Sequence, residues 1–259
     1  MSPYLSIITI NYNNKTGLQR TMSSVIGQSR NDFEWIVIDG GSTDGSRELI
    51  EQNSKHITHW CSEKDGGIYN AMNKGIRKAS GDYCLFLNSG DCLAEANVVD
   101  EVFKLGLDKD IVFGYLLDSL AKKSLMDLKT DNLSIIDLLQ KSLPHPASFI
   151  KRELFAKIGM YDETYKIVSD WKFFLQAIVI ENVSLKYIPL AISIFDTSGI
   201  SSQNKRSNEY QMVLEDLFPP RILKDLPLAV SLSEIYSRAW SKRIYSVLYR
   251  IVGILNSRK

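Results

Sequence analysis

Four short apolar runs separated by amphipathic stretches limit what this chain can fold into more than any other feature. Residues 5–10 (Leu-Ser-Ile-Ile-Thr-Ile), 33–38, 57–61 and 83–87 (Tyr-Cys-Leu-Phe-Leu) are rich in β-branched and aromatic side chains. They are too short for helices and read as buried strands. Between the first two, Leu18, Met22, Val25 and Ile26 recur on one helical face, with Thr16 the expected N-cap. Residues 47–53 form a second helix, and Ile68, Ala71, Met72, Gly75, Ile76 and Ala79 trace a third apolar stripe. Strand and helix alternating three times specify an α/β protein with a mostly parallel, doubly wound sheet.

Each strand runs into a polar turn. Asn11-Tyr12-Asn13-Asn14 follows the first, Asp39-Gly40-Gly41-Ser42 opens the loop after the second, Glu63-Lys64-Asp65-Gly66-Gly67 follows the third, and Asn88-Ser89-Gly90-Asp91 the fourth. In open α/β sheets ligands bind at the carboxyl ends of strands, so the loops after residues 10, 38 and 87 outline a nucleotide-sized crevice. Asn, Asp and Gly are also the commonest turn formers, so residue type alone leaves a plain turn and a ligand site both open.

Beyond Asp91 the alternation loosens. Helices are expected over 95–105, 133–140, 152–158 and 169–180, strands over 111–115, 147–150 and 184–195, and a polar loop over 196–202. In the last helix Ser169 reads as N-cap, with Trp171, Phe174, Leu175 and Ile178 inward. Residues 116–130 mix Lys, Asp and Leu without a period and read as an excursion over one edge.

The 259 residues suffice for one large α/β domain. Lys plus Arg number 31 against 30 Asp plus Glu, without the basic excess of a nucleic-acid binder. Cys61, Cys84 and Cys92 follow no C-x-x-C spacing and read as reduced thiols of a cytoplasmic protein. Neither a secretory leader nor an apolar run of the ~20 residues that span a bilayer is apparent. Residues 235–259 carry six basic and no acidic side chains, interleaved with Tyr236, Trp240, Tyr245 and Tyr249. That pattern suits a peripheral helix on an anionic membrane surface, and equally a helix docked on the domain. His56 and His59 have a metal-like spacing but no further ligands beside them, so a strand-edge role fits better.

Taken together, several segments resemble the family 2 glycosyltransferases of the GT-A fold, in particular the bacterial branch that builds surface polysaccharides. The resemblance is carried by residues 6–13, Ile38-Asp-Gly-Gly-Ser-Thr-Asp-Gly45, residues 62–75, Phe86-Leu-Asn-Ser-Gly-Asp91, His145-Pro-Ala-Ser-Phe149, Gly159-Met-Tyr-Asp162, Ser169-Asp-Trp171 and Gly199-Ile-Ser-Ser202. It implies an inverting transferase that takes a sugar from a nucleotide-sugar donor, with UDP the expected nucleotide, to a hydroxyl of a glycan or lipid-linked oligosaccharide. Thr9, Asn11, Tyr12 and Asp39 fall on positions that hold the nucleobase and ribose, and Asp65 on a further acidic position of the same pocket. Asp91 corresponds to the carboxylate that binds a divalent cation, Mg²⁺ or Mn²⁺, on the donor diphosphate. Asn88 and Gly90 stand where further carboxylates are common, which weakens the metal set and leaves Asn88 a neutral donor contact. Asp170 matches the catalytic base, and His145 and Ser201 fall near the diphosphate and acceptor. The implied organisation is a GT-A domain over 1–218, with a nucleotide-binding half 1–110 and an acceptor-binding half 111–218, followed by a basic helical tail 219–259. Two alternatives remain at this level. One is a non-catalytic nucleotide-sugar-binding or scaffold protein; the other, a sugar nucleotidyltransferase, would carry a Gly-rich phosphate loop where this chain has Asn11-Tyr-Asn-Asn-Lys15.

Overall fold

The structure, a computed structural model, describes residues 4–120, 124, 128, 130–197 and 208–237. Among the described residues the sheet has eight strands: β1 (Leu5–Asn11), β2 (Glu34–Asp39), β3 (His59–Ser62), β4 (Tyr83–Phe86), β5 (Cys92–Leu93), β6 (Ile111–Asp118), β7 (Ser148–Lys151) and β8 (Leu185–Phe195). Their order is β3-β2-β1-β4-β7-β6-β8-β5. The first four strands pair in parallel, as the repeated alternation requires. In the second half β7 runs antiparallel to both β4 and β6, β6 and β8 are parallel, and β5 is antiparallel to β8.

Helices α1 (Lys15–Ile26) and α2 (Ser46–Gln52) cover one face and α3 (Ile68–Lys78) the other. Residues of β1 alternate accordingly: Leu5 and Ile7 join Leu18, Met22 and Ile50 in one core, Ile8 and Ile10 join Met72, Ile76 and Phe86 in the other. The cap of α1 is Asn14 rather than Thr16, its Oδ1 accepting from the Gly17 N–H at 3.0 Å, and Ile26 is exposed at the helix end.

The second half adds α4 (Val98–Leu105), α5 (Ile135–Gln140), α6 (Glu153–Lys157) and α7 (Ser169–Leu175), the last widening into a π-turn over Gln176–Ile180. Trp171, Phe174, Leu175 and Ile178 are buried as the spacing predicts. Ser169 is not a side-chain cap; its Oγ is buried without a partner. Two further helices, α8 (Glu209–Leu217) and α9 (Pro220–Ser237), follow. Lys172 binds Asp162 at 2.7 Å and Asp216 at 2.6 Å, fastening α8 onto α7, and Leu223 of α9 packs on the α3-side core. Among the described residues no helix is long and apolar enough to cross a membrane.

Candidate functional site

A cleft of about 750 Å³ opens along the carboxyl ends of β1, β2 and β4. Five of the residues singled out from the sequence, Asn11, Tyr12, Asp65, Asn88 and Asp91, reach its surface together. Ile68 and Ala71 from the start of α3 form an apolar wall, and Asp196, just past β8, closes the far end.

The acidic turn after β4 is shaped by α1. Thr21 accepts from the Gly90 N–H at 2.9 Å and donates to the Asp91 carbonyl at 2.7 Å, while Asn14 Nδ2 donates to the Ser89 carbonyl at 3.0 Å. Gly90 sits at φ 109°, and a Cβ there would lie 2.5 Å from Asp196 Oδ2, so only glycine lets the two segments meet. Asp91 is 3 % exposed and its Oδ1 accepts from the Asp196 N–H at 2.9 Å. Burial pushes the Asp91 carboxyl up to about 7; the Asp196 charge adds to this, and backbone N–H donors partly oppose it. Asp196 is itself held by Arg20, Nη2 to Oδ2 2.5 Å. Beside them Asn88 Oδ1 is buried with no donor.

Two carboxylates and an orphaned amide oxygen are hard oxygen donors of the kind Mg²⁺ and Mn²⁺ take. Among the described residues no cluster of three or more His, Cys, Asp or Glu could hold an ion alone. Phosphate oxygens and water would have to complete the shell, so the residues fit a cation that arrives with a diphosphate.

At the other end Tyr12, 67 % exposed, and Asp65 close over Gly40: a Cβ on Gly40 would meet Asp65 Oδ2 at 2.8 Å and the Tyr12 ring at 3.2 Å. Asp65 Oδ1 accepts from the Gly67 N–H at 2.9 Å. An exposed ring, a flat glycine floor and a carboxylate edge suit a planar group with N–H or O–H donors.

Thr9 and Asp39, expected at this end, do not line the cleft. Both side chains point to the α1–α2 side of the sheet, because residues alternate along a strand. Thr9 is fully buried and its Oγ1 accepts from Trp35 Nε1 at 3.1 Å. Asp39 is also fully buried, and Asn11 Nδ2, the Ser42 N–H, Ser42 Oγ and Ser62 Oγ donate to it at 2.5–3.0 Å. Burial would raise its pKa, but these four donors outweigh it and hold the carboxylate below its usual range. Ser42 in the following loop and Ser62 at the end of β3 thus fix a residue that the sequence reading turned outward.

Asp170, half-buried in the first turn of α7, is not among the side chains that line the cleft. The Tyr69 hydroxyl donates to its Oδ1 at 2.9 Å. His145 is a core residue, not a cleft contact: it is 5 % exposed, stacks on Phe86 with centroids 4.8 Å apart, and places Nε2 2.8 Å from the Tyr161 hydroxyl. Burial pushes its imidazole pKa down and the Asp170 charge opposes this only in part. The histidine stands in a short 3₁₀ turn, His145–Ala147, whose three residues are all buried. Ser201 lies outside the described residues. His59 starts the edge strand β3, whereas His56 is exposed at the end of a 3₁₀ turn, Ser54–His56, before it. The sequence reading missed Asp196, Tyr69 and Thr21. Asp196 had a signal, being the first polar residue after the last strand run; the other two had none.

Residues 6–158 match the family model described as glycosyl transferase family 2. An uncharacterised glycosyltransferase of Mycobacterium tuberculosis is 38 % identical over 217 residues, covering 80 % of each chain. A PGL/p-HBAD biosynthesis glycosyltransferase of Mycobacterium bovis is 27 % identical over 254 residues, 94 % of this chain and 93 % of that one. The fold is shared with S. aureus TarS 1–349 solved in complex with UDP-GlcNAc, at TM-score 0.68 and 15 % identity, over 93 % of this chain and 74 % of that one. It is also shared with the mannosyltransferase PcManGT from Pyrobaculum calidifontis in complex with GDP-Man and Mn²⁺, at TM-score 0.59 and 12 % identity, over 97 % and 81 %. With the family model spanning more than half of the chain and a relative at this identity, the chain belongs to glycosyl transferase family 2 and is a glycosyltransferase.

Proposed function

We propose that the chain moves a sugar, with inversion, from a nucleoside-diphosphate sugar, UDP being the favoured nucleotide, to a hydroxyl of a glycan or lipid-linked acceptor in cell-surface polysaccharide assembly. The observation that carries this reading is the two-ended cleft. Tyr12, Gly40 and Asp65 offer a planar, donor-bearing group its surface at one end, while Asp91, Asp196 and Asn88 offer oxygen ligands at the other. A nucleotide sugar has the same two-ended chemistry, a flat base and a charged diphosphate. That solved structures of the same fold hold UDP-GlcNAc and GDP-Man supports a nucleotide-sugar donor, and a relative named for PGL/p-HBAD biosynthesis supports a biosynthetic role.

Asp91, Asp196 and Asn88 would hold the divalent cation. When bound, that ion neutralises charge developing on the leaving diphosphate. Asn11 and Tyr12 orient the nucleoside, and Ile68 and Ala71 keep water from one side of the sugar. Asp170 is the base: as the acceptor oxygen bonds to the anomeric carbon and the bond to phosphate breaks, its carboxylate takes the acceptor proton. Residues 1–218 carry this chemistry, and the basic stretch 238–259, outside the described residues, supplies contact with an anionic cytoplasmic membrane face.

The test is Asp170→Asn, assayed by nucleoside diphosphate release from a panel of UDP-, GDP- and dTDP-sugars. Turnover falls by about 10³-fold or more while donor affinity stays within about threefold. Near-normal turnover contradicts the assignment. Deleting residues 238–259 is expected to release the protein from phosphatidylserine vesicles, and unchanged co-sedimentation contradicts the membrane reading.

A further inference from the structure

Helix α3 presents two differently employed faces at its amino end. Ile68 and Ala71 line the donor cleft. Asn70 and Asn73 bond the segment that leads into α7, and Tyr69 bonds the first turn of α7 itself. Asn73 Nδ2 donates to the Tyr161 carbonyl at 2.8 Å, its Oδ1 accepts from the Tyr161 N–H at 3.1 Å, and Asn70 and Asn73 both donate to Glu163. Tyr69, 5 % exposed, packs its ring on Tyr161 with centroids 5.7 Å apart and donates from its hydroxyl to Asp170 Oδ1 at 2.9 Å. Burial first, and then the Asp170 charge, hold the phenol well above its ordinary pKa, so it keeps its proton and remains a donor.

We infer that Tyr69 is a positioning residue for the base: its hydroxyl holds Asp170 Oδ1, leaving Oδ2 for the acceptor proton, and it ties that carboxylate to the helix that walls the donor cleft. The inference rests on the reading of Asp170 as the base. Without the hydroxyl bond a half-buried carboxylate at a helix start is free to change rotamer. A base that has rotated away from the reacting oxygen loses rate without loosening the donor, because Tyr69 itself does not line the cleft. The phenol is a good holder for this purpose, since its ring is clamped by core neighbours and its two torsions leave little freedom to lose.

The test compares Tyr69→Phe, Asp170→Asn and the double variant in the full chain. The assay is nucleoside diphosphate release from the panel sugar that the wild-type protein turns over fastest, with water or an octyl glycoside as acceptor. Tyr69→Phe keeps the ring and its packing. It is expected to lower kcat by about 10- to 100-fold, with donor Kd and KM within about twofold and the thermal midpoint within a few degrees of wild type. The double variant is expected to be no slower than Asp170→Asn alone, because the hydroxyl acts only through that carboxylate. Wild-type kcat in Tyr69→Phe beside an inactive Asp170→Asn overturns the positioning role and leaves the base assignment standing. So does a loss that appears equally in donor Kd and thermal midpoint, which marks a purely structural role. An active Asp170→Asn overturns the base assignment, and with it the inference.

Discussion

Asp39 and Asp91 stand at the carboxyl ends of β2 and β4 with only β1 between them, and both are almost wholly withdrawn from water. Their chemistry is opposite. Asp39 receives four protein donors and is held below the ordinary carboxylate range. Asp91 accepts one well-formed hydrogen bond, from the Asp196 N–H, stands beside a second carboxylate and an orphaned amide oxygen, and is pushed up to about 7. Both are closed off from water, but Asp91 is the more deeply desolvated, has a second carboxylate beside it and has fewer donors, and all three differences push its pKa above that of Asp39. A saturated carboxylate is part of the frame, and an undersupplied one is a place where a cation lowers the free energy.

The largest expected effect that tests this contrast is at the saturated site. Asp39→Ala strands the Ser42, Ser62 and Asn11 donors and is expected to cost about 3–5 kcal/mol in urea unfolding. Because the folded pKa of Asp39 is depressed, its contribution is complete above the unfolded value near 4 and is lost as pH falls through the lower folded value. The variant should therefore lose part of the wild type's acid sensitivity; a stability within 1 kcal/mol of wild type contradicts the frame role.

At Asp91 the sign reverses. Its folded pKa lies above the unfolded one, so the protonated carboxyl costs nothing below about pH 4, and the charge penalty builds as pH rises toward about 7. With chelator present, Asp91→Asn is expected to exceed wild type by about 2–3 kcal/mol at pH 8, a discount on the full shift because the cleft admits water, and to match it at pH 4. A variant less stable than wild type at pH 8 removes the contrast.

Smaller changes sharpen it. Gly90→Ala places a methyl against Asp196 at a left-handed backbone and should cost about 1–3 kcal/mol while weakening Mn²⁺-dependent nucleotide binding. Calorimetry with and without the ion separates the two losses. Ser62→Ala removes one of the four Asp39 donors and should cost about 1 kcal/mol without touching nucleotide affinity.

The sequence made the parallel half of the fold readable because its signals are local: period-two strands, the α3 stripe and polar turns in the expected order. The mixed half was less so. That β7 inserts antiparallel between β4 and β6 depends on pairings far apart in the chain, which no local pattern encodes. At the site, the turns at the strand ends and the resemblance to family 2 glycosyltransferases together were enough to pick out Asn11, Tyr12, Asp65, Asn88 and Asp91, which line one cleft. They were not enough to orient Thr9 and Asp39, since a one-residue step along a strand decides which face a side chain takes. Nor were they enough for His145, whose burial is set by Phe86, Tyr161 and Phe174 from three other segments. Asp196 and Tyr69 act by meeting partners more than 100 residues away, Asp91 and Asp170, and such meetings exist only in the folded chain.

The most direct measurement is calorimetric titration of UDP, GDP and dTDP and their sugars into the wild type, Asp91→Asn and Asp39→Asn, each with and without Mn²⁺. The account predicts that one nucleotide binds the wild type tightly only with the ion, and that Asp91→Asn loses about 100-fold of that affinity while remaining folded. Asp39→Asn, where it stays folded, keeps its affinity within a few-fold. Equal affinity with and without Mn²⁺ in the wild type, or loss of binding in Asp39→Asn but not in Asp91→Asn, would contradict the division between frame and site.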